Sequence, residues 1–274
     1  MKIKFREFFL NVELFRHSPK NNKLILLLHG FTGSSADWKP VADNLADGFD
    51  IAALDITGHG KSDAPNDPQF YTTDSLAEQL AEVAGNFDHD KLIICGYSMG
   101  GRLALSFALR YQNLIDGLVL ESTSAGFINS NLRNKRIEED GEIISLLESK
   151  SEEEFIEFWM NRPIFYTQRR FSEEKLKRLK QTKLNNFNKT GTINILKNFG
   201  TGIMPPLYDE LKNLKIPVLL ITGELDTKFT EINKTILIEI ESGDLRIIKN
   251  SGHNTHLEEP VQFVNAVNSF LTQF

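Results

Sequence analysis

A serine framed by glycines is the first residue in this chain whose setting suggests chemistry. Leu92-Ile93-Ile94-Cys95-Gly96-Tyr97-Ser98-Met99-Gly100-Gly101-Arg102 is an apolar, β-favouring run that breaks into Gly-x-Ser-x-Gly. It continues with Leu103, Phe107, Ala108 and Tyr111 at helical spacing. Strand, sharp turn and helix in that order hold a serine in a strained backbone region with its hydroxyl exposed. A Cβ at Gly96 or Gly100 would collide with neighbouring strand or helix. The N–H of Met99 falls at a helix N-terminus, where an oxyanion is stabilised. The five-residue pattern by itself also fits an ordinary strand-to-helix turn, so the chemistry needs a base, an orienting acid and a second oxyanion donor from elsewhere.

The chain supplies all three. Gly223-Glu224-Leu225-Asp226 ends an apolar strand, and Ser251-Gly252-His253-Asn254-Thr255-His256 is a loop after the last strand. Ser98, Asp226 and His253 then stand in the order nucleophile, acid, histidine, each just beyond a strand, which is the α/β-hydrolase order. His253 Nε2 is expected to take the Ser98 proton while Asp226 holds Nδ1–H and fixes the tautomer. His256 is the rival base, and Glu224 and Asp244 are rival acids. The bend at Gly252 and the strand-end position of Asp226 favour the first pair. The second oxyanion donor is the N–H of Phe31, where the run Lys23–Leu28 opens into His29-Gly30-Phe31-Thr32-Gly33. His29, and His59 of Gly58-His59-Gly60, read as histidines that brace their loops rather than as acid–base groups.

The elements that must carry these residues alternate. Strands are expected at Lys2–Phe9 and Val12–Arg16, turning at Asn11, and at Lys23–Leu28, Phe49–Asp55, Leu92–Gly96, Leu118–Thr123, Pro217–Gly223 and Leu245–Ile248. Helices are expected from Asp37, as the cap, to Leu45, over Thr73–Phe87, after Ser98, over Thr230–Ile240, and over Val261–Leu271 behind Pro260. Such alternation implies a parallel sheet with its site at the carboxyl ends of the strands. From Phe127 the texture changes to charged helices at Glu138–Ser149, Glu152–Met160, Ser172–Leu184 and Thr192–Phe199. The expected fold is therefore α/β: an α/β-hydrolase fold with a mostly parallel eight-stranded sheet flanked by helices. One domain has its core at 1–125 and 205–274, with a helical lid at about 126–204 inserted after the sixth strand. The basic run Arg169, Arg170, Lys175, Lys177, Arg178 and Lys180 reads as a solvated helix face.

The totals exclude several classes. With 274 residues, 41% hydrophobic and 25% charged, the chain has the size of one α/β domain with an insertion. A formal charge of −6 gives no reason to expect a nucleic-acid partner. The single cysteine, Cys95, excludes an internal disulfide and reads as a small buried hydrophobe. No run reaches the roughly 18 apolar residues of a membrane span, and the basic start Met1–Arg6 lacks a signal peptide's apolar core. A cytoplasmic protein without a membrane span is expected. Without a Cys/His cluster, P-loop or dinucleotide fingerprint, no metal and no cofactor are expected.

Longer stretches carry a narrower resemblance. Gly96–Arg102, Gly223-Glu224-Leu225-Asp226-Thr227-Lys228-Phe229 and Gly252-His253-Asn254-Thr255-His256-Leu257-Glu258 closely resemble the 2-succinyl-6-hydroxy-2,4-cyclohexadiene-1-carboxylate synthase family of menaquinone biosynthesis. So do Leu28–Gly33, Trp159 with Pro163-Ile164-Phe165, and Asn198-Phe199-Gly200-Thr201-Gly202. The resemblance implies a lyase that eliminates pyruvate from 2-succinyl-5-enolpyruvyl-6-hydroxy-3-cyclohexene-1-carboxylate. Ser98 would act as the base, relayed through His253 and Asp226, and the N–H groups of Phe31 and Met99 would stabilise charge on the succinyl carbonyl.

It also implies an anionic small-molecule substrate with several carboxylates. Arg102, on the first turn of the elbow helix, suits bidentate carboxylate binding; the alternative is a salt bridge along the helix. By family position Arg136 is a second carboxylate ligand. Tyr97 and Trp159 would line the pocket, with packing inside the lid as the alternative for Trp159. One departure stands out: where the family usually has a further lid arginine, this chain reads Lys183-Leu184-Asn185-Asn186, and lysine keeps the charge without the fork. Two other readings of the same fold remain, a serine carboxylesterase or C–C hydrolase, and a non-enzymatic sensor.

Overall fold

The computed structural model describes all 274 residues. Its strands are β1 (Lys2–Phe5), β2 (Phe8–Arg16), β3 (Lys23–Leu28), β4 (Asp50–Asp55), β5 (Lys91–Tyr97), β6 (Gly117–Glu121), β7 (Val218–Gly223) and β8 (Gly243–Ile248). They form one sheet in the order β1-β2-β4-β3-β5-β6-β7-β8. β1 pairs antiparallel with β2, and β2 with β4; every other pairing is parallel. Successive side chains of a strand point to opposite faces. In β3, Leu24, Leu26 and Leu28 enter one apolar cluster, while Ile25 and Leu27 enter the other, across the sheet. That two-sided burial is why β3 is continuously apolar. Each fully buried leucine contributes about 1.5–3 kcal/mol. Cys95 is buried in the second cluster, as a hydrophobe would be.

The α-helices are α1 (Lys39–Ala42), α2 (Thr73–Gly85), α3 (Met99–Arg110), α4 (Ser130–Ser149), α5 (Glu152–Met160), α6 (Glu173–Asn185), α7 (Lys189–Phe199), α8 (Thr227–Glu239), α9 (Thr255–Glu258) and α10 (Pro260–Leu271). None is long and apolar enough to cross a membrane. α4 to α7 all fall between β6 and β7, with a cluster of their own formed by Ile143, Leu147, Phe155, Ile156 and Leu196. A backbone bond from Gly60 N–H to Asn186 O, 3.0 Å, ties α6 to the loop after β4.

Four local expectations are corrected. The first hairpin turns at Arg6-Glu7, with Arg6 at φ 51°, and not at Asn11. Asn11 stays in β2 because its backbone N–H donates to Ser62 Oγ at 2.7 Å and its side chain to Asp55 at 2.8 Å. The helix expected over 37–45 is two short pieces. Ser34 caps a 3₁₀ turn at Ser35–Trp38 with Asp37 as its reciprocal partner, and Pro40 starts α1 afresh. α4 begins at Ser130, capped by Asn129, well before the Glu138 expected. Its first turns bury no side chain, so they carry no apolar period to read. Finally, Pro163–Arg170 forms a 3₁₀ segment that no periodicity announced.

Candidate active site

Ser98 follows the last residue of β5 at φ 50°, ψ −103°. A non-glycine residue held in such a region costs of order 1–3 kcal/mol and persists only where its surroundings enforce it. Here the Ser98 N–H donates to Glu121 O at 2.8 Å, and Thr123 Oγ1 donates to Ser98 O at 2.8 Å. A Cβ on Gly100 would lie 2.2 Å from Leu28 O, so only glycine lets α3 start this close to β3.

Two loops complete the constellation. Asp226 caps α8, with Oδ1 accepting from Phe229 N at 3.4 Å, which leaves Oδ2 to accept from His253 Nδ1–H at 2.6 Å. That donation sets the tautomer, and His253 Nε2 accepts from Ser98 Oγ at 3.2 Å. The His253 ring is 2% exposed and packs 4.4 Å from the ring of Phe229. The backbone N–H groups of Phe31 and Met99 donate to no protein acceptor.

The rivals are engaged elsewhere. His256 is buried, with Nδ1 2.6 Å from Glu121 Oε2 and its ring stacked 4.2 Å from Trp38. Glu224 accepts from Asn250 N at 3.0 Å, and Asp244 pairs with Arg246 at 2.8 Å. His29 donates Nδ1–H to Gly30 O at 2.8 Å and accepts from Ile56 N at 3.0 Å, so it braces its loop from both ring nitrogens.

His59 is buried against His29, and desolvation lowers its pKa to about 3. It therefore stays neutral in the fold while the unfolded chain protonates it below about 6.5. Its contribution to stability is full above pH 6.5 and is lost as pH falls toward 3. One such histidine removes about 2 kcal/mol between pH 7 and pH 5. Urea unfolding at the two pH values is expected to show that loss, and His59→Asn to reduce it by that amount; an unchanged pH dependence in the variant overturns the assignment.

One cavity of about 830 Å³ is lined by Ser98, Asp226, His253, Phe31, Met99, Tyr97, Arg102, Arg136 and Trp159 together. Its volume is that of a small-molecule site. Arg102 is 8% exposed, yet it has no carboxylate partner. Nη1 donates to Phe199 O at 2.7 Å, and the guanidinium lies 4.8 Å from the Phe199 ring centre. The expected alternative, a salt bridge along the helix, is not formed. Desolvation, then the charge of Arg136, push Arg102 down to about 9. Arg136 is steered by Asp140, which accepts from its Nε at 2.8 Å and leaves both Nη groups unpaired. Burial holds the Asp140 carboxyl above its usual range. Trp159 packs inside the helical insertion, its ring stacked 6.2 Å from that of Phe155, and it also lines the cavity, 4.8 Å from Phe31; its buried indole N–H has no protein acceptor.

Lys183 is not in this cavity. Its Nζ lies 3.3 Å from Thr32 Oγ1, on a smaller adjoining hollow. Arg162, which no motif marked, is there instead, together with Lys228 of the Gly223–Phe229 stretch. Arg162 follows α5 and stacks on Phe158 and Trp159; its position beside an aromatic pair was the only signal. Of the basic run read as a solvated face, Lys180 does pair with Glu153 and Glu157 near the surface, but Arg170 reaches Glu258 and Glu259. Glu121 and Glu258 are further buried carboxylates near the site that no motif marks as functional. Glu121, a charge inside an otherwise apolar strand, was the visible clue.

The sequence model of the alpha/beta hydrolase fold family matches residues 23–260. A putative 2-succinyl-6-hydroxy-2,4-cyclohexadiene-1-carboxylate synthase of Bacillus subtilis is 37% identical over 254 residues, covering 93% of this chain and 92% of that protein. The synthase of that name from Photorhabdus laumondii is 28% identical, covering 91% and 86%. The structure of MenH from S. aureus superimposes with a TM-score of 0.90 at 27% identity over 96% of this chain and 98% of that one. An esterase from Exiguobacterium antarcticum gives 0.80 at 20% identity over 99% and 98%, a likeness of fold alone.

Proposed function

Since the chain belongs to the alpha/beta hydrolase fold family and, within it, to the 2-succinyl-6-hydroxy-2,4-cyclohexadiene-1-carboxylate synthases, we propose that Ser98, His253 and Asp226 carry out its pyruvate elimination. The enzyme is a lyase of menaquinone biosynthesis. It converts 2-succinyl-5-enolpyruvyl-6-hydroxy-3-cyclohexene-1-carboxylate to 2-succinyl-6-hydroxy-2,4-cyclohexadiene-1-carboxylate. Ser98 Oγ removes a ring proton as its own proton passes to His253 Nε2, and Asp226 stabilises the resulting imidazolium. Electrons from the broken C–H bond are delocalised toward the succinyl carbonyl, whose oxygen takes hydrogen bonds from the N–H groups of Phe31 and Met99. They return to the ring as the C–O bond to the enolpyruvyl group breaks; that group leaves as the enolate of pyruvate, and the proton held by the His253 imidazolium goes to it, giving pyruvate and restoring neutral His253.

The observation that carries this reading is the free guanidinium edges of Arg102 and Arg136 on the wall that also holds Ser98. An acyl pocket gains nothing from desolvated cations, whereas a substrate with several carboxylates does. Tyr97 and Trp159 close the pocket around the ring, and the helices at about 126–204 act as a lid on a single domain in the cytoplasm.

The test is a coupled pyruvate-release assay on the pathway intermediate, run beside hydrolysis of short p-nitrophenyl esters. Pyruvate release is expected to dominate. Faster ester hydrolysis would replace the lyase with a serine carboxylesterase or C–C hydrolase.

A further inference from the structure

The loop that carries His253 belongs to no regular element, so side chains must hold it. Two buried carboxylates do so. Glu121 Oε1 accepts from Thr255 Oγ1 at 2.7 Å and from His256 N at 3.0 Å, beyond the histidine. Glu258 brackets it: Oε2 accepts from Gly252 N at 2.8 Å and Oε1 from Asn254 N at 3.3 Å. The Glu258 side chain is wholly buried, and charge-assisted bonds of this kind fix geometry more firmly than neutral ones.

Glu258 has one arginine partner, and it comes from the helical insertion. Arg170, the last residue of the 163–170 segment, places Nη2 3.4 Å from Glu258 Oε2 and 3.3 Å from Glu259 Oε1. Its Nη1 donates to Asn250 O. The same segment touches the loop twice more. Thr167 Oγ1 lies 2.1 Å from where a Cβ on Gly252 would stand, so glycine lets the two backbones meet. The Phe165 ring lies 6.2 Å from that of His253, edge to face. Neither Arg170 nor Glu258 lines the cavity.

We infer that Arg170 is a positioning residue: by docking the 163–170 segment onto Glu258 it sets His253 against Ser98, so that the seating of the insertion and the activation of the serine are one event. The inference rests on Ser98 and His253 as the reacting pair and not on the identity of the substrate.

The experiment uses the full chain with Arg170→Met, Arg170→Lys and Glu258→Gln, measuring the rate of Ser98 phosphonylation by a small fluorophosphonate together with kcat and KM for pyruvate release. Displacing a catalytic group by about 1 Å costs up to roughly 100-fold. Arg170→Met is therefore expected to slow both phosphonylation and kcat by about 10- to 100-fold, with KM within a factor of two; the thermal midpoint is expected to fall as well, because Glu258 stays buried with only backbone partners, and a fall in the midpoint without slower phosphonylation overturns the inference. Arg170→Lys, one charge without the fork, is expected to recover part of the rate. If Arg170→Met reacts with the phosphonate at the native rate, the inference is wrong, whatever its kcat. A raised KM with unchanged kcat also overturns it. A native enzyme inert to the phosphonate would instead remove the reading of Ser98 on which the inference stands. Should Glu258→Gln fail to fold, the two Arg170 variants still decide.

Discussion

Ser98→Ala is expected to cut pyruvate release by at least about 10³-fold while the protein stays folded and still binds its substrate. Members of a serine–histidine–aspartate unit act together, and loss of the serine costs as much as loss of the whole unit, up to about 10⁶-fold. The geometry concentrates the effect on one oxygen: His253 Nε2 has Ser98 Oγ at 3.2 Å, and Nδ1 is committed to Asp226 at 2.6 Å. Alanine keeps the Cβ and leaves untouched the bonds that hold residue 98 at positive φ, from its N–H to Glu121 O and from Thr123 to its carbonyl. The fold therefore has little reason to respond. Asp226→Asn is a companion test, since the amide presents the wrong group to Nδ1–H and the same substitution in a serine protease costs about 10⁴-fold. A Ser98→Ala enzyme that turns over at the native rate would remove the hydroxyl from the mechanism.

The second large effect concerns charge. Arg102→Ala is expected to lower kcat/KM for pyruvate release by roughly 30- to 4,000-fold, the equivalent of the 2–5 kcal/mol that an unpaired buried charge costs a complex. Both KM and kcat should suffer, because the lost contact anchors the substrate against Ser98 as well as binding it. Without ligand, Arg102 is a desolvated cation that also feels the charge of Arg136, offset in part by Asp140. A carboxylate from the substrate relieves that unfavourable arrangement, which is why truncation should hurt the complex far more than the free protein. Arg136→Ala is expected to do the same more mildly, since its side chain is 29% exposed and water replaces part of what is lost. Binding of a simple dicarboxylate such as succinate, followed by calorimetry, separates the contributions. An Arg102→Ala enzyme within a factor of two of native would make Arg102 a packing residue against Phe199.

Much of this was legible in the chain because the information was local. Gly96 and Gly100 around Ser98 describe a turn that few other backbones satisfy, and five continuous apolar residues in β3 describe a strand buried on both sides. Where local pattern was silent the reading failed for a physical reason. The start of α4 buries nothing, so it shows no period. Pro163–Arg170 is a 3₁₀ segment whose turns are too short to show one.

Sequence alone determined the order of strands and helices, the serine at its corner, and which acid and histidine follow, because backbone geometry is dictated by neighbours a few residues away. Tertiary structure decided which charges find partners. It left Arg102 without a carboxylate, put Arg162 in the cavity in place of Lys183, and sent Arg170 to the carboxylate beside His253. Coulombic and hydrogen-bonding partners are chosen by distance in space among side chains far apart along the chain, and no spacing in the sequence encodes that distance.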